Sequence, residues 1–145
     1  MMIKRLVFGG SVIESIPANV GLAILRVFVG LSMALGHGLG KIPPSERFVT
    51  IIENLGFPLP EFFAWMAAFS EFGGGLLLAL GLLTRPGAFL ICSTMLVAGF
   101  LQHAADPFST KEMAFLYLVI TGMFVVIGSG KYGIDPLIRS RDSHL

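Results

Sequence analysis

Apolar positions along the chain fall into four long runs separated by short polar breaks. The pattern predicts membrane helices at about residues 19–40, 61–83, 86–104 and 111–128, the first capped by Asn19. The stretch Glu61–Leu83 is representative: at ~1.5 Å per residue it reaches ~34 Å, enough for a hydrocarbon core of ~30 Å. Between the first two runs lies a loop bracketed by Pro43, Pro44, Pro58 and Pro60. Inside it, Phe48, Ile51, Ile52 and Leu55 recur at helical spacing, which predicts a short amphipathic helix at about 45–55, too short to span. The break Leu83–Gly87 is tight enough to make the second and third helices an antiparallel hairpin. At the N-terminus, Ile3, Leu6, Val7 and Phe8 could rest in the membrane interface. Beyond Ile127 the chain turns polar, basic and glycine-rich, and 129–145 reads as a tail.

Composition agrees with this pattern. The chain has 145 residues, 54% hydrophobic and 13% charged, with mean hydropathy +0.83; soluble domains carry about 25% charged residues. A soluble bundle of this size could not hide so much apolar surface. The expected fold is therefore all-α, a single integral membrane domain over 1–145 built as a four-helix bundle, with the lipid bilayer as its first partner. A net charge of +1 gives no reason to expect nucleic acid.

Two charges fall inside the apolar runs: Arg26 in the first and Glu71 in the second. An acidic residue at a helix centre costs roughly 2.5–3.5 kcal/mol to insert, so Glu71 must face protein or water and needs a partner. Ala67, Glu71, Gly75 and Ala79 follow at intervals of four, a face of small residues around the carboxylate that admits another helix closely. Arg26 shares a helix face with Gly30, Met33 and His37. The expectation is a buried Arg26–Glu71 ion pair. It reads first as a structural pair fixing helix register; a proton or ligand site is the alternative.

Four crossings put both termini on one side of the membrane. That side carries Lys4, Arg5, Arg85, Lys131, Arg139 and Arg141; the other carries Lys41, Arg47 and Lys111, and Arg26 completes the ten basic residues. By the positive-inside rule the termini and the 129–145 tail are cytoplasmic, and the amphipathic helix lies in the first extracytoplasmic loop. Depth then gathers His37, Lys41, Glu61, Gln102, His103 and Glu112 at the outer end of the bundle. This polar cluster is a candidate quinone site; His37, His103 and Glu112 also have the residue types for a metal or haem, the weaker reading for histidines at helix ends.

Other chemistries find little support. The single cysteine, Cys92, rules out an intrachain disulfide, a CxxC pair and a cysteine zinc site. Gly128-Ser129-Gly130-Lys131 fails as a phosphate loop, since Val125 stands at the first glycine position and Tyr132 where Ser or Thr belongs. No metal site and no intrinsic cofactor are expected, and the purified protein should be colourless and iron-free.

Several short pieces in order resemble the DoxX family of small four-helix membrane proteins. They are Leu25-Arg26, His37-Gly38 with Lys41, Leu55-Gly56-Phe57-Pro58, Glu71 with its glycines, Gly81 with Thr84-Arg85, and Gly130-Lys131-Tyr132-Gly133-Ile134-Asp135. The resemblance spans about residues 20–137 and departs at Gly40, where a polar residue often precedes the lysine. It implies a four-helix bundle in a bacterial or archaeal cytoplasmic membrane, with Arg26, His37, Lys41, Glu71 and Arg85 on motif positions. The family is named for a subunit of a quinol-oxidase or thiosulfate:quinone oxidoreductase assembly, and other members are linked to oxidative or quinone stress. The resemblance thus implies a subunit or accessory protein of a quinone-linked oxidoreductase more than a stand-alone enzyme, with quinone as its ligand. A non-catalytic anchor, assembly factor or small-molecule or proton pathway stays open as the other reading; substrate, partner protein and oligomeric state are not readable from the sequence.

Overall fold

A computed structural model describes residues 7–141. Helix α1 runs from Ile16 to Leu31, continues as a π-helix over Ser32–Gly38 and ends in a 3-10 turn, Leu39–Lys41. It is followed by α2 (Glu46–Asn54), α3 (Pro60–Leu80), α4 (Thr84–Val97, extended as a π-helix over Ala98–Gln102), α5 (Phe108–Ile127) and α6 (Asp135–Arg141). Among the described residues, α1, α3, α4 and α5 are long and apolar enough to cross a membrane. The protein is an all-helical, multi-pass membrane protein.

Helix ends differ from the sequence expectation for local reasons. α1 begins before Asn19: Ser15 is the cap, its hydroxyl accepting the Ala18 N–H at 3.4 Å, and Pro17 sits in the first turn, where a missing N–H costs nothing. Asn19 is buried inside the helix instead. Its Nδ2 donates to the carbonyls of Ile13 (2.7 Å) and Ser15 (2.9 Å), and its Oδ1 accepts the Lys131 N–H at 2.9 Å. α3 stops at Gly81, in the left-handed region at φ 67°, a conformation that favours glycine. α4 therefore starts at Thr84, and Pro86 falls within its first turn.

α3 is the central element, packed on α1, α2 and α4, while α5 packs on α4. The α1–α3 crossing is set by small residues. A Cβ on Gly30 would lie 2.5 Å from the Ala79 nitrogen and 2.6 Å from the Gly75 carbonyl, and one on Gly38 would collide with the backbone of Glu71 and Phe72. Farther down the α3–α4 hairpin, Gly74 meets Gly87, whose carbonyl would be 3.0 Å from an added Cβ. Val29, Leu78, Ala88, Ile91 and Phe124 form a buried apolar layer across all four spans. Met113, Leu116, Val119 and Val126 of α5 are exposed, as lipid-facing side chains are.

The segment after α5 is not a loose tail in its described part. Ser129, Gly133 and Asp135 are buried. Asp135 accepts the N–H groups of Leu83 (2.7 Å) and Thr84 (3.0 Å), and its own N–H donates to the Gly81 carbonyl at 2.8 Å. No α4 side chain caps those first N–H groups, so a carboxylate from 51 residues further along the chain closes the hairpin. Residues 1–6 and 142–145, which include Lys4 and Arg5 and the Ile3 and Leu6 expected at the membrane interface, lie outside the described residues.

Candidate functional site

The expected Arg26–Glu71 pair does not form. Gly38 lies against Glu71, so Glu71 sits at the height of Gly38 on α1. Arg26 is 12 residues earlier, ~18 Å along the helix axis at 1.5 Å per residue, beyond the reach of its side chain. The small-residue register that brings the helices together is what keeps the two charges apart.

Each charge finds another solution. The Arg26 guanidinium donates to the carbonyls of Leu78 (3.0 Å), Ala79 (2.9 Å) and Tyr132 (3.1 Å). The first two are carbonyls at the C-terminal end of α3, where the helix dipole favours a cation. Gly81 is required beside them, because any Cβ there would collide with Arg26 Nη1. Glu71, with its side chain 2% exposed, takes Lys41: Nζ lies 2.6 Å from both carboxylate oxygens. Lys41, 32% exposed, also lies 5.3 Å from the centre of the Phe48 ring on α2. The 3-10 turn that ends α1 delivers this lysine over the carboxylate.

The pair lines a cavity of about 380 Å³ bounded by α1, α3, α4 and α5, with Phe48 and Ile52 of α2 at one side. Of the predicted outer cluster, the structure brings His37, Lys41, Gln102 and His103 to this wall together with Glu71. Glu61 and Glu112 are exposed and not part of it. At ~100° per residue each is turned ~200° from a wall residue two positions on, Phe63 and Ala114 respectively. His103 Nδ1 lies 2.7 Å from Asp106 Oδ2 at the rim. His37 packs edge-on against Tyr117 of α5, ring centres 5.5 Å apart. Among the described residues, no three His, Cys, Asp or Glu side chains are placed to hold a metal.

Sequence reading missed several wall residues. Tyr117 is the one tyrosine within an apolar span, which is a signal in itself. Ser70 and Thr94 share a hydroxyl–hydroxyl bond of 2.9 Å between α3 and α4; Ser70 is the neighbour of Glu71, but nothing in the sequence pairs it with Thr94. Met33, Met66, Met95 and Met113 supply thioethers to the same wall, and such side chains adapt to ligands of irregular shape. The arrangement offers donors at Lys41 and Tyr117, a nitrogen of either role at His37, and a buried carboxylate paired with Lys41.

The class is thus a helical, multi-pass membrane protein with a polar-floored cavity inside its bundle. The chain belongs to the DoxX family, whose profile matches residues 21–104. It is 29% identical over 127 residues to "Inner membrane protein YqjF" of Escherichia coli (strain K12), covering 85% of this chain and 95% of that one. It is 30% identical over 121 residues to "Putative oxidoreductase CatD" of Bacillus subtilis (strain 168), covering 83% of this chain and 88% of that one. No solved structure matches the chain.

Proposed function

We propose that the protein is a membrane subunit or accessory protein of a quinone-linked oxidoreductase or oxidative-stress system, holding a quinone headgroup in the cavity beside Glu71. The observation that carries this reading is the convergence of a buried, lysine-paired carboxylate with His37 and Tyr117 on a largely apolar wall that includes four methionines. A volume of about 380 Å³ falls at the small end of ligand pockets, which run ~300–1,000 Å³. Quinone reduction takes up two electrons and two protons. In this reading the electrons come from a partner protein; Lys41, His37 and Tyr117 hydrogen-bond the headgroup oxygens, and Glu71 relays protons. The relative whose name carries the word oxidoreductase supports the same direction. The protein would sit in the cytoplasmic membrane with both termini cytoplasmic.

The test is purification in mild detergent with native lipid, followed by mass spectrometry of extracted quinones and co-purifying proteins, and titration with a short-chain quinone. Wild-type protein should retain or bind quinone, and Glu71→Gln and His37→Ala should weaken binding while leaving the fold intact. Wild-type protein that neither carries nor binds quinone would refute the reading.

A further inference from the structure

The α3–α4 hairpin is tight near its turn. Near the turn, Gly74 and Gly87 bring the two backbones into contact. One turn farther, Ser70 and Thr94 still bridge the helices at 2.9 Å. Beside that bridge stand Ala67 on α3 and Ser93 on α4, both small, and both on the cavity wall. The wall does not stop inside the bundle. Met66 (47% exposed) and Leu90 (41% exposed) line the cavity and also face outward, at a height where apolar helices meet hydrocarbon. The cavity therefore reaches the lipid-facing surface sideways, between α3 and α4.

The charge state of the floor narrows what uses such an opening. Lys41 and Glu71 close on each other at 2.6 Å through both carboxylate oxygens, so the buried site presents no net charge to an occupant. The apolar layer of Val29, Leu78, Ala88, Ile91 and Phe124 seals the other direction, toward Arg26. We infer that the α3–α4 seam is an entrance from the bilayer, through which a neutral, membrane-dissolved ring compound slides until its polar edge reaches Lys41, His37 and Tyr117. This inference rests on reading the cavity as a binding site, but not on the occupant being a quinone. Ser70 and Thr94, bridged at 2.9 Å, stand at the threshold.

The experiment uses the full chain in lipid vesicles with a neutral aryl diazirine dissolved in the bilayer, photolysed and mapped by mass spectrometry. Labels are expected at Ser70, Thr94 and Tyr117 as well as at the lipid-facing Val119 and Val126. Ala67→Phe, and separately Ser93→Phe from the opposing wall, should abolish the inner labels and keep the outer ones; the retained outer labels report insertion, and an unchanged unfolding midpoint in detergent reports that the variant is folded. Labels confined to Val119, Val126 and similar outer positions in the wild type would overturn the seam. So would inner labels that survive both substitutions, or that a charged, membrane-impermeant diazirine reproduces from the aqueous end at Gln102 and His103. Inner labelling without quinone binding would sink the quinone reading alone. Quinone binding without inner labelling would sink the seam alone.

Discussion

Arg26 and Glu71 are both buried charges in membrane spans, yet their surroundings have opposite characters. Around Arg26 the protein is closed: three backbone carbonyls receive the guanidinium, Asp135 sits nearby as a counter-charge, and glycine is required where a side chain would intrude. Around Glu71 the protein is open: the carboxylate is held by the partly exposed Lys41 and borders a cavity. A charge whose hydrogen bonds are fixed by backbone serves architecture. A charge held by a single side chain beside empty volume can be exchanged for a ligand. This difference is the reason the proposed ligand site is placed at the Glu71 end.

The largest expected effect breaks the closed end. Arg26→Met strands the carbonyls of Leu78, Ala79 and Tyr132 and leaves Asp135 without its counter-charge. It should cost about 3–5 kcal/mol, the scale of a broken buried pair, read as a lower unfolding midpoint in detergent. Because Arg26 and Glu71 are separate, Arg26→Gln and Glu71→Gln should be additive; a double mutant more stable than Arg26→Gln alone would restore the direct pair.

Next comes an asymmetry within the open end. Lys41→Met leaves a buried carboxylate with no partner and should destabilise by roughly 1–3 kcal/mol. Glu71→Gln leaves a lysine that can turn to water, so it should cost less in stability while removing ligand binding. Equal stability losses in the two variants, compared in one thermal-melt series, would show that the pair is tied to the fold as firmly as Arg26. Asp135→Asn should cost about 1–2 kcal/mol, since it weakens a charged helix cap; protease sensitivity localised to the Leu80–Thr84 turn would report it. The smallest effect belongs to the seam: Thr94→Val removes the hydroxyl that bridges to Ser70 and also donates to the Leu90 carbonyl within its own helix, and the bridge is worth about 0.5–1.5 kcal/mol. An unchanged melting point there would mean the bridge does not hold α3 to α4.

The spans were legible because a run of about 20 apolar residues has few other meanings. The small-residue face was legible too: Gly75 and Ala79 meet Gly30 as their spacing suggested. The error over Arg26 and Glu71 arose because periodicity gives a face but not a height. The contacts of Gly30 with Gly75 and Ala79 and of Gly38 with Glu71 fix the register, and they are between two helices. Asp135 was hidden for a similar reason. A cap supplied from a distant segment leaves no local trace, and its surroundings, rich in glycine and basic residues, have the composition of an ordinary tail. His37, Lys41, Gln102 and His103 were found by depth. Glu61 and Glu112 were wrongly gathered with them because depth says nothing about rotation.

The π-helical stretch Ser32–Gly38 bears on that rotation. The Leu39 N–H reaches back five residues to Ala34, so this turn holds one residue more than an α-turn. Everything after it is rotated relative to an uninterrupted helix, and His37 and Lys41 arrive at the cavity while Gly30 keeps its seat on α3. The packing stripe and the ligand stripe of one helix are thereby decoupled, each free to vary in sequence without dragging the other out of phase. In an alignment of relatives this has a visible form. A homologue that crosses with a straight α-helix and still presents its lysine to the acid should show a one-residue gap between the arginine and the lysine, opposite 32–38.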